Sequence, residues 1–279
     1  MSSINAYPVD SINFDKVNVS DLNKDYNQPL AFINYYNTPL TIATGPIKIT
    51  SHGIPRLDGQ DSKIGYFPDD NHREFIKLAL DPNQPACVAL RNHLEMADQY
   101  YGLEIVRKKL FGKLAGKYEY QASVRKPYYD NDDDDNSLKS KVGKRPVKMD
   151  YCKIKFNVIP CKDGQRINKT IININGQAIL AQTITDIAQY VKFGSTIRCK
   201  IQHVKVWANK SAAPGYNKIM YGLGLKMLEI NIGTAYVDWP IPIHDKTNPI
   251  LAYKEYMFKL AYNEYMAEKN KSINKIVVV

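Results

Sequence analysis

Hydrophobic and polar residues alternate along much of the chain, and short apolar runs end at Pro, Asn or Gly. Such runs are typical of β-strands bounded by turns. The pattern predicts early strands in LAFINYY, PLTIATG and PIKIT, and later ones in YCKIKFNVI, TIININGQAIL, IRCKIQHVKVW and KIMYGLGLKMLEINI. Asp163-Gly164 and Asn175-Gly176 are hairpin turn signals. Because βαβ alternation is scarce, the strands are expected to pair antiparallel.

Apolar residues at helical spacing predict a helical section between the two groups of strands. Asp70 is positioned to cap a short helix that carries Phe75, Ile76 and Leu80. Pro85 begins a longer helix that ends at Gly102, with an apolar stripe of Cys87, Leu90, Leu94, Ala97 and Tyr101. A brief helix in TDIAQYVKFG stops at Gly194, and Asn248 caps a C-terminal amphipathic helix.

These elements predict an α+β protein built on a five-stranded, OB-like antiparallel barrel with a helical insertion and a C-terminal helix. Residues 1–25 are predicted to be a flexible segment, 26–240 the barrel domain, and 241–279 the C-terminal helix and tail. Within the barrel domain, the helical insert covers about 70–115 and an acidic loop about 128–142. The aspartate run in that loop is expected to be solvated.

The strand IRCKIQHVKVW changes the parity of its apolar residues midway. Ile197, Cys199 and Ile201 share one parity, whereas Val204 and Val206 have the other. A β-bulge at Gln202–His203 would keep all five inward, because one extra residue re-aims everything after it. Without the bulge, His203 and Lys205 would be buried, and each unpaired polar group would cost roughly 2–7 kcal/mol of stability. The bulge places Arg198, Lys200, Lys205 and Trp207 together on the exposed face.

The strand KIMYGLGLKMLEINI changes parity in the same way after Met227. Its interior glycines, Gly222 and Gly224, lie between Lys218 and Lys226. Glycines inside a strand often mark the close approach of a ligand or of another backbone. They are therefore expected to border the binding face.

The net charge of +10 and the pI of about 9.2 favour a polyanionic partner. No acidic residue occurs from 191 to 228. Cations that follow phosphates and aromatic rings that stack on bases are what single-stranded nucleic acid requires. The candidate binding residues are Arg198, Lys200, Lys205, Trp207, Lys210, Tyr216, Lys218, Lys226, Tyr151 and Phe156. For Trp207, a core position that closes the end of the barrel is the alternative.

Other function classes find little support in the motifs. The four cysteines form no C-x-x-C pair and the five histidines have no zinc spacing, so neither a metal site nor a cofactor is expected. A phosphate-binding G-x-x-x-x-G-K-[ST] loop is absent, and GLGLKM lacks the third glycine of a dinucleotide site. We therefore predict that the protein is not an enzyme. No apolar run approaches the roughly 18 residues of a membrane span, and the N-terminus has no secretory pattern.

Three stretches resemble a known family. GSTIRCKIQHVKVW and YGLGLKMLEINI are similar to the C-terminal strands of single-stranded DNA-binding proteins of nucleocytoplasmic large DNA viruses, and PLTIATGPIKITSHGI resembles their N-terminal strand pair. That family in turn resembles the OB-fold binding proteins of small-tailed phages. The phage proteins end in an acidic tail that recruits partners, whereas this sequence ends in KNKSINKIVVV. The acidic stretch from Asp130 to Asp135 is the alternative recruiting segment.

The resemblance implies sequence-independent coating of single-stranded DNA during viral replication, recombination and repair. It implies an intracellular location in the viral replication compartment, in the nucleus or a cytoplasmic factory, with viral replication proteins as partners and no membrane. Two alternatives stay open: a basic virion or structural protein with incidental nucleic-acid affinity, and an RNA-binding OB protein. Whether the chain forms a homo-oligomer is also open.

Overall fold

The computed structural model describes residues 4–57, 67–127, 149–161 and 166–233. The chain divides into two units, one of which is Pro8–Asp238. Of the other unit, Met1–Tyr7 with Trp239–Val279, only residues 4–7 are described. The predicted acidic loop at 128–142, the Asp163-Gly164 turn and the helix and tail at 241–279 lie outside the described residues.

Short strands make up most of the regular structure in the described ranges. In chain order they are β1 (Tyr7–Pro8), β2 (Val17–Val19), β3 (Leu30–Tyr35), β4 (Thr38–Pro39), β5 (Thr41–Ala43), β6 (Ile47–Lys48), β7 (His52–Gly53), β8 (Phe75–Ala79), β9 (Tyr118–Gln121), β10 (Val124–Arg125), β11 (Tyr151–Phe156), β12 (Val158–Pro160), β13 (Arg166–Asn168), β14 (Ile171–Ile174), β15 (Gln177–Ile179), β16 (Thr196–Ala208) and β17 (Ile219–Ile232). The α-helices are α1 (Pro85–Gly102), α2 (Glu104–Phe111) and α3 (Ile184–Tyr190).

Fifteen of these strands belong to one mixed sheet, whose central order is β5-β16-β17-β11-β8-β7. The two longest strands, β16 and β17, pair antiparallel. Three strands from different parts of the chain, β9, β11 and β14, pair with β17 in parallel. The predicted five-stranded OB-like antiparallel barrel is therefore wrong, and the described strands do not close into a barrel. Local alternation identifies a strand but does not determine its distant parallel partner.

Several local predictions are confirmed. Helix α1 begins at Pro85 and ends at Gly102, and its stripe from Cys87 to Tyr101 is buried. The hairpin of β14 and β15 turns at Asn175 and Gly176, which both have the positive φ that a tight two-residue turn requires.

Two segments differ from their predicted state. Phe75, Ile76 and Leu80 were expected in a helix, but β8 covers Phe75–Ala79 and pairs with β11. The carboxylate of Asp70 binds Arg73 and Thr185 instead of capping a helix, so local capping does not decide this segment. The predicted flexible segment 1–25 contains β1 and β2, and β2 pairs with β3.

Helix α1 packs on one side of the central sheet, which we call the inner face. His93 of α1 contacts His203 of β16, and the Tyr221 hydroxyl of β17 donates a hydrogen bond to the Tyr101 carbonyl. Buried residues of β16 and β17 cover this face, among them Ile201, Val206, Leu223, Leu225 and Met227. The opposite side of the same strands, the outer face, carries the candidate site.

Candidate functional site

Two bulges in the β16–β17 pair determine which side chains reach the outer face. Val204 is the extra residue of β16 between His203 and Lys205, and Leu228 is the extra residue of β17 between Met227 and Glu229. The predicted bulge in β16 therefore exists, but it lies after His203 and not at Gln202–His203. His203 keeps the inward parity of Ile201 and is fully buried. Lys205 and Trp207 point to the outer face, as predicted.

Five lysines gather on the outer face of four neighbouring strands, and we call this group the lysine face: Lys77, Lys153, Lys155, Lys205 and Lys226. Lys226 of β17 pairs with Lys155 of β11, and Lys153 of β11 pairs with Lys77 of β8. Directly opposite like charges destabilise a sheet. Such an arrangement indicates a role other than stability.

The local electrostatics of the lysine face are unfavourable for its own charges. Burial, followed by the positive charges of Arg125, Lys155 and Lys77, lowers the pKa of Lys153. Burial, followed by Lys155 and Lys226, lowers the pKa of Lys205. In the described ranges, the charges that shift these two amines are all positive. An anion placed on this face would relieve the repulsion between them.

Aromatic rings accompany the lysines. The Lys153 ammonium lies 3.8 Å from the centre of the Phe75 ring, and the Lys77 ammonium lies 5.2 Å from that of Tyr151. Phe32 of β3 is the cross-strand partner of Lys205 and is 46% exposed, a high value for a large apolar side chain. The lysine face is therefore bordered by flat apolar surfaces.

Trp207 is half-buried on the outer face and lies over the two glycines of β17. Its indole N–H donates to the Leu223 carbonyl at 3.3 Å. A Cβ atom on Gly222 would lie 3.0 Å from Cζ2 of the indole, and one on Gly224 would lie 3.7 Å from its Cδ1. The group that approaches the backbone closely at these glycines is therefore, at least in part, the indole of Trp207 itself.

The remaining predicted residues are dispersed. Tyr151 lies on the outer face, whereas Phe156 faces the core and is buried, because its parity matches Met227. Lys210 and the 66%-exposed Tyr216 belong to the loop between β16 and β17, where the Lys218 ammonium donates to the Gly116 carbonyl. A stacking role for Phe156 is therefore excluded by its burial.

Arg198 and Lys200 lie at the opposite end of β16. Lys200 is 3% exposed and forms an ion pair of 2.9 Å with Glu229, so its prediction as an exposed binding cation is wrong. Glu229 also accepts hydrogen bonds from Asn173 and Asn231. The sequence pattern shows the parity of Lys200 but not the carboxylate that pairs with it.

Sequence reasoning missed Lys77, Lys153, Lys155 and Phe32. The alternation in YCKIKF places Lys153 and Lys155 on one face of a strand and could have revealed them. Lys77 was hidden by the helix prediction for its segment. Phe32 has no local signal, because its role depends on pairing with Lys205 across 173 positions of chain, from 32 to 205.

No metal site emerges from the described residues. They include no group of three or more His, Cys, Asp or Glu side chains arranged to hold a metal ion. Within the same residues, no helix has the length and apolar character needed to cross a membrane. The buried thiols of Cys152 and Cys199 have pKa values raised by burial, the former to about 12, so they are poor nucleophiles at neutral pH.

Comparison with known proteins gives one informative similarity. No protein-family model matches the chain. The chain is 35% identical over 249 residues to an uncharacterized protein of Acanthamoeba polyphaga mimivirus. The similar region covers 80% of this chain and 60% of the mimivirus protein, so the chain spans less than two thirds of that relative's length.

Proposed function

We propose that the protein binds single-stranded DNA without sequence preference, using the lysine face. The observation that carries the proposal is the gathering of five lysines on one side of four adjacent strands, where neighbouring positive charges act on Lys153 and Lys205. Fixed cations at such density favour a polyanion, because each phosphate contact releases condensed counterions.

The shape of the face favours a single strand over a duplex. Phe32, Tyr151 and Trp207 border the lysines, and flat rings stack on unpaired bases whatever the base identity. A duplex keeps its bases inside and is read by a helix or ribbon that enters a groove. The described part of the outer face offers a sheet surface with no such projection.

We also propose a role in coating and protecting single strands during viral DNA replication, recombination and repair, in the replication compartment of the host cell. Two observations support it: the resemblance of the β16 and β17 sequences to viral single-stranded DNA-binding proteins, and the similarity to a mimivirus protein. The proposal assigns no catalytic step to the chain and leaves partner recruitment to viral replication proteins.

The test is a titration of fluorescently labelled oligothymidylate by the protein, followed by anisotropy, beside a matched duplex and oligouridylate at several salt concentrations. Five phosphate contacts predict a slope of log K against log salt of about −3.5, from about −0.7 per contact on a single strand. Equal affinity for the duplex would favour a basic structural protein. Tighter binding of oligouridylate would favour an RNA-binding protein.

A double substitution isolates the lysine face. Lys155→Ala with Lys226→Ala removes two adjacent charges and is expected to flatten the salt slope by about 1.4. Because the substitution also removes like charges directly opposite each other, the variant is expected to be at least as stable as the wild type. The matched control, Lys108→Ala with Lys113→Ala, removes two exposed charges on and just after α2 and should keep the wild-type slope. Equal slopes in the two variants would contradict the assignment of the site.

A further inference from the structure

We infer that the bound strand crosses the β-strands, from Phe32 on β3 to Lys77 on β8, and does not run along β16. The inference rests on the proposed function and specifies the path of the nucleic acid on the lysine face. It also assigns Phe32 as the residue that stacks on a base at one end of the path.

The register of the sheet places the aromatic ring and the lysines on neighbouring strands, across the direction of β16. Phe32 pairs with Lys205, and Lys205 pairs with Gly224. On the far side of β17, Lys226 pairs with Lys155 of β11. After burial, the positive charges of Lys155 and Lys226 lower the pKa of Lys205, so these three lysines lie close together. Lys153 pairs in turn with Lys77. A band across five strands, from β3 to β8, therefore carries an exposed aromatic ring followed by the five lysines.

Further aromatic rings lie beside the lysines on the same face. Trp207 lies two residues beyond Lys205 on β16, and Tyr151 lies two residues before Lys153 on β11, where the short strand β10 pairs with it. Phosphates can thus follow the lysines while bases turn toward the aromatic rings, about 7 Å away at two strand residues.

A path along β16 meets a different surface. Toward its N-terminal end, the outer face carries Lys200, Glu229, Asn173 and Asn231, which are bonded to one another. The carboxylate of Glu229 would repel phosphate, and the Lys200 ammonium is already paired. The lysines of the outer face extend across the sheet, whereas the next cation along β16, Lys200, is paired with a carboxylate.

Phe32 is held in position to act as a platform. Its backbone N–H donates to the Ser20 hydroxyl at 2.9 Å, and its carbonyl accepts from the Ser20 N–H at 2.9 Å. The ring itself remains 46% exposed beside Lys205. A rigid backbone with a solvent-exposed ring loses little entropy when a base stacks on it.

The length of the oligonucleotide tests the path. From β3 to β8 there are four interstrand gaps, about 19 Å in total, which corresponds to roughly six stacked nucleotides at about 3.4 Å each. The 13 residues of β16 would instead span about 43 Å, or roughly 13 nucleotides. In titrations with oligothymidylates of about 3 to 18 nucleotides, affinity is expected to rise steeply up to about six nucleotides. Beyond that length it should rise only slightly, because a longer strand offers more positions for the same contacts. A steep rise that continues to about 12 nucleotides would overturn the transverse path.

A substitution tests the platform independently of length. Phe32→Ala is expected to weaken binding of oligothymidylate by roughly 5- to 150-fold, with an unchanged salt slope because no charge is lost. The same variant should bind an abasic oligonucleotide as the wild type does. Phe193→Ala, which removes an 80%-exposed ring elsewhere, is the matched control and should bind normally. Wild-type affinity in Phe32→Ala would refute the platform, whereas failure of the wild type to bind any length would refute the proposed function itself.

Discussion

At the scale of single residues, the least expected feature is a pair of histidines inside the core. The Nε2 atoms of His93 on α1 and His203 on β16 are 3.0 Å apart, and both side chains are fully buried. Burial lowers the pKa of His93 to about 4. Burial, followed by the charge of His93, lowers the pKa of His203 well below its ordinary value. Both rings are therefore neutral at neutral pH, and one donates a hydrogen bond to the other.

This pair predicts that acid weakens the fold. Each folded-state pKa lies below the unfolded value of about 6.5, so the unfolded chain takes up protons first as the pH falls. The stability is complete above about pH 6.5 and declines toward pH 4, by up to about 1.4 kcal/mol per pH unit for each histidine. Urea unfolding at pH 7, 6 and 5, with each pH held to within about 0.1 unit, measures this decline in the free energy of unfolding.

Substituting both histidines tests whether they cause the loss of stability in acid. In the double variant His93→Leu with His203→Leu, both partners of the hydrogen bond are removed together, so little stability should be lost at pH 7. Its unfolding midpoint is expected to stay nearly constant from pH 7 to 5. His72→Leu removes an exposed histidine and should keep the wild-type pH dependence. A double variant that declines with pH as the wild type does would disprove this role of the pair.

At the scale of elements, the β16–β17 pair combines two bulges with two glycines to support Trp207. The bulge at Val204 turns Lys205 and Trp207 outward while His203 stays in the core. Gly222 and Gly224 provide the flat surface on which the indole rests. The strand pair thus needs both the extra residue and the missing side chains to present this face.

A side chain at Gly222 is accordingly expected to destabilise the strand pair. A methyl group there would lie 3.0 Å from both the Gln121 carbonyl oxygen and the indole of Trp207, so Gly222→Ala should lose about 1–3 kcal/mol of stability. The indole should also move toward water, which shifts its fluorescence emission to longer wavelengths. A Trp239→Phe background makes Trp207 the single source of that signal.

Gly116→Ala is the control for this substitution. No described atom lies within 4 Å of the position its methyl group would take, so its stability should change by less than about 0.5 kcal/mol. Equal stability and emission in the two variants would contradict the packing of Trp207 on β17.

At the scale of the whole molecule, buried polar contacts join segments that are far apart in the chain. Arg73, which is almost fully buried, donates to the Asp70 carboxylate, the Pro55 carbonyl and the Thr185 hydroxyl, each at 2.8 Å. Asp70 also accepts from the Thr185 backbone N–H. One guanidinium therefore connects the segment before β8 to α3.

Arg73→Met is expected to be strongly destabilising. Removing the guanidinium deprives the Asp70 carboxylate of its cation and the Pro55 carbonyl of its donor. The expected cost is about 3 kcal/mol, the lower end of the range for breaking a buried ion pair. The cost lies at the lower end of that range because the Asp70 side chain is 27% exposed and remains partly hydrated. Arg91→Met breaks the more exposed ion pairs with Glu95 and Asp150 and should lose less than about 1 kcal/mol. Chemical denaturation of both variants checks the difference, and equal losses would contradict it.

The sequence by itself determined the features that depend on neighbouring residues. It predicted α1 from Pro85 to Gly102, the Asn175-Gly176 hairpin, and the presence of a bulge that turns Lys205 and Trp207 to one face. Capping, turn conformation and alternation act over a few residues, so a local pattern contains the information for them.

Only the tertiary structure decided which segments meet. The parallel pairing of β9, β11 and β14 with β17 replaces the predicted antiparallel barrel, and the pairing of β8 with β11 turns an expected helix into a strand. The same contacts neutralise Lys200 with Glu229 and bury Phe156. They also pair Phe32 with Lys205 and Lys77 with Lys153. Partners so distant in sequence leave no trace in local periodicity, because their contact energy appears only after the chain between them has closed.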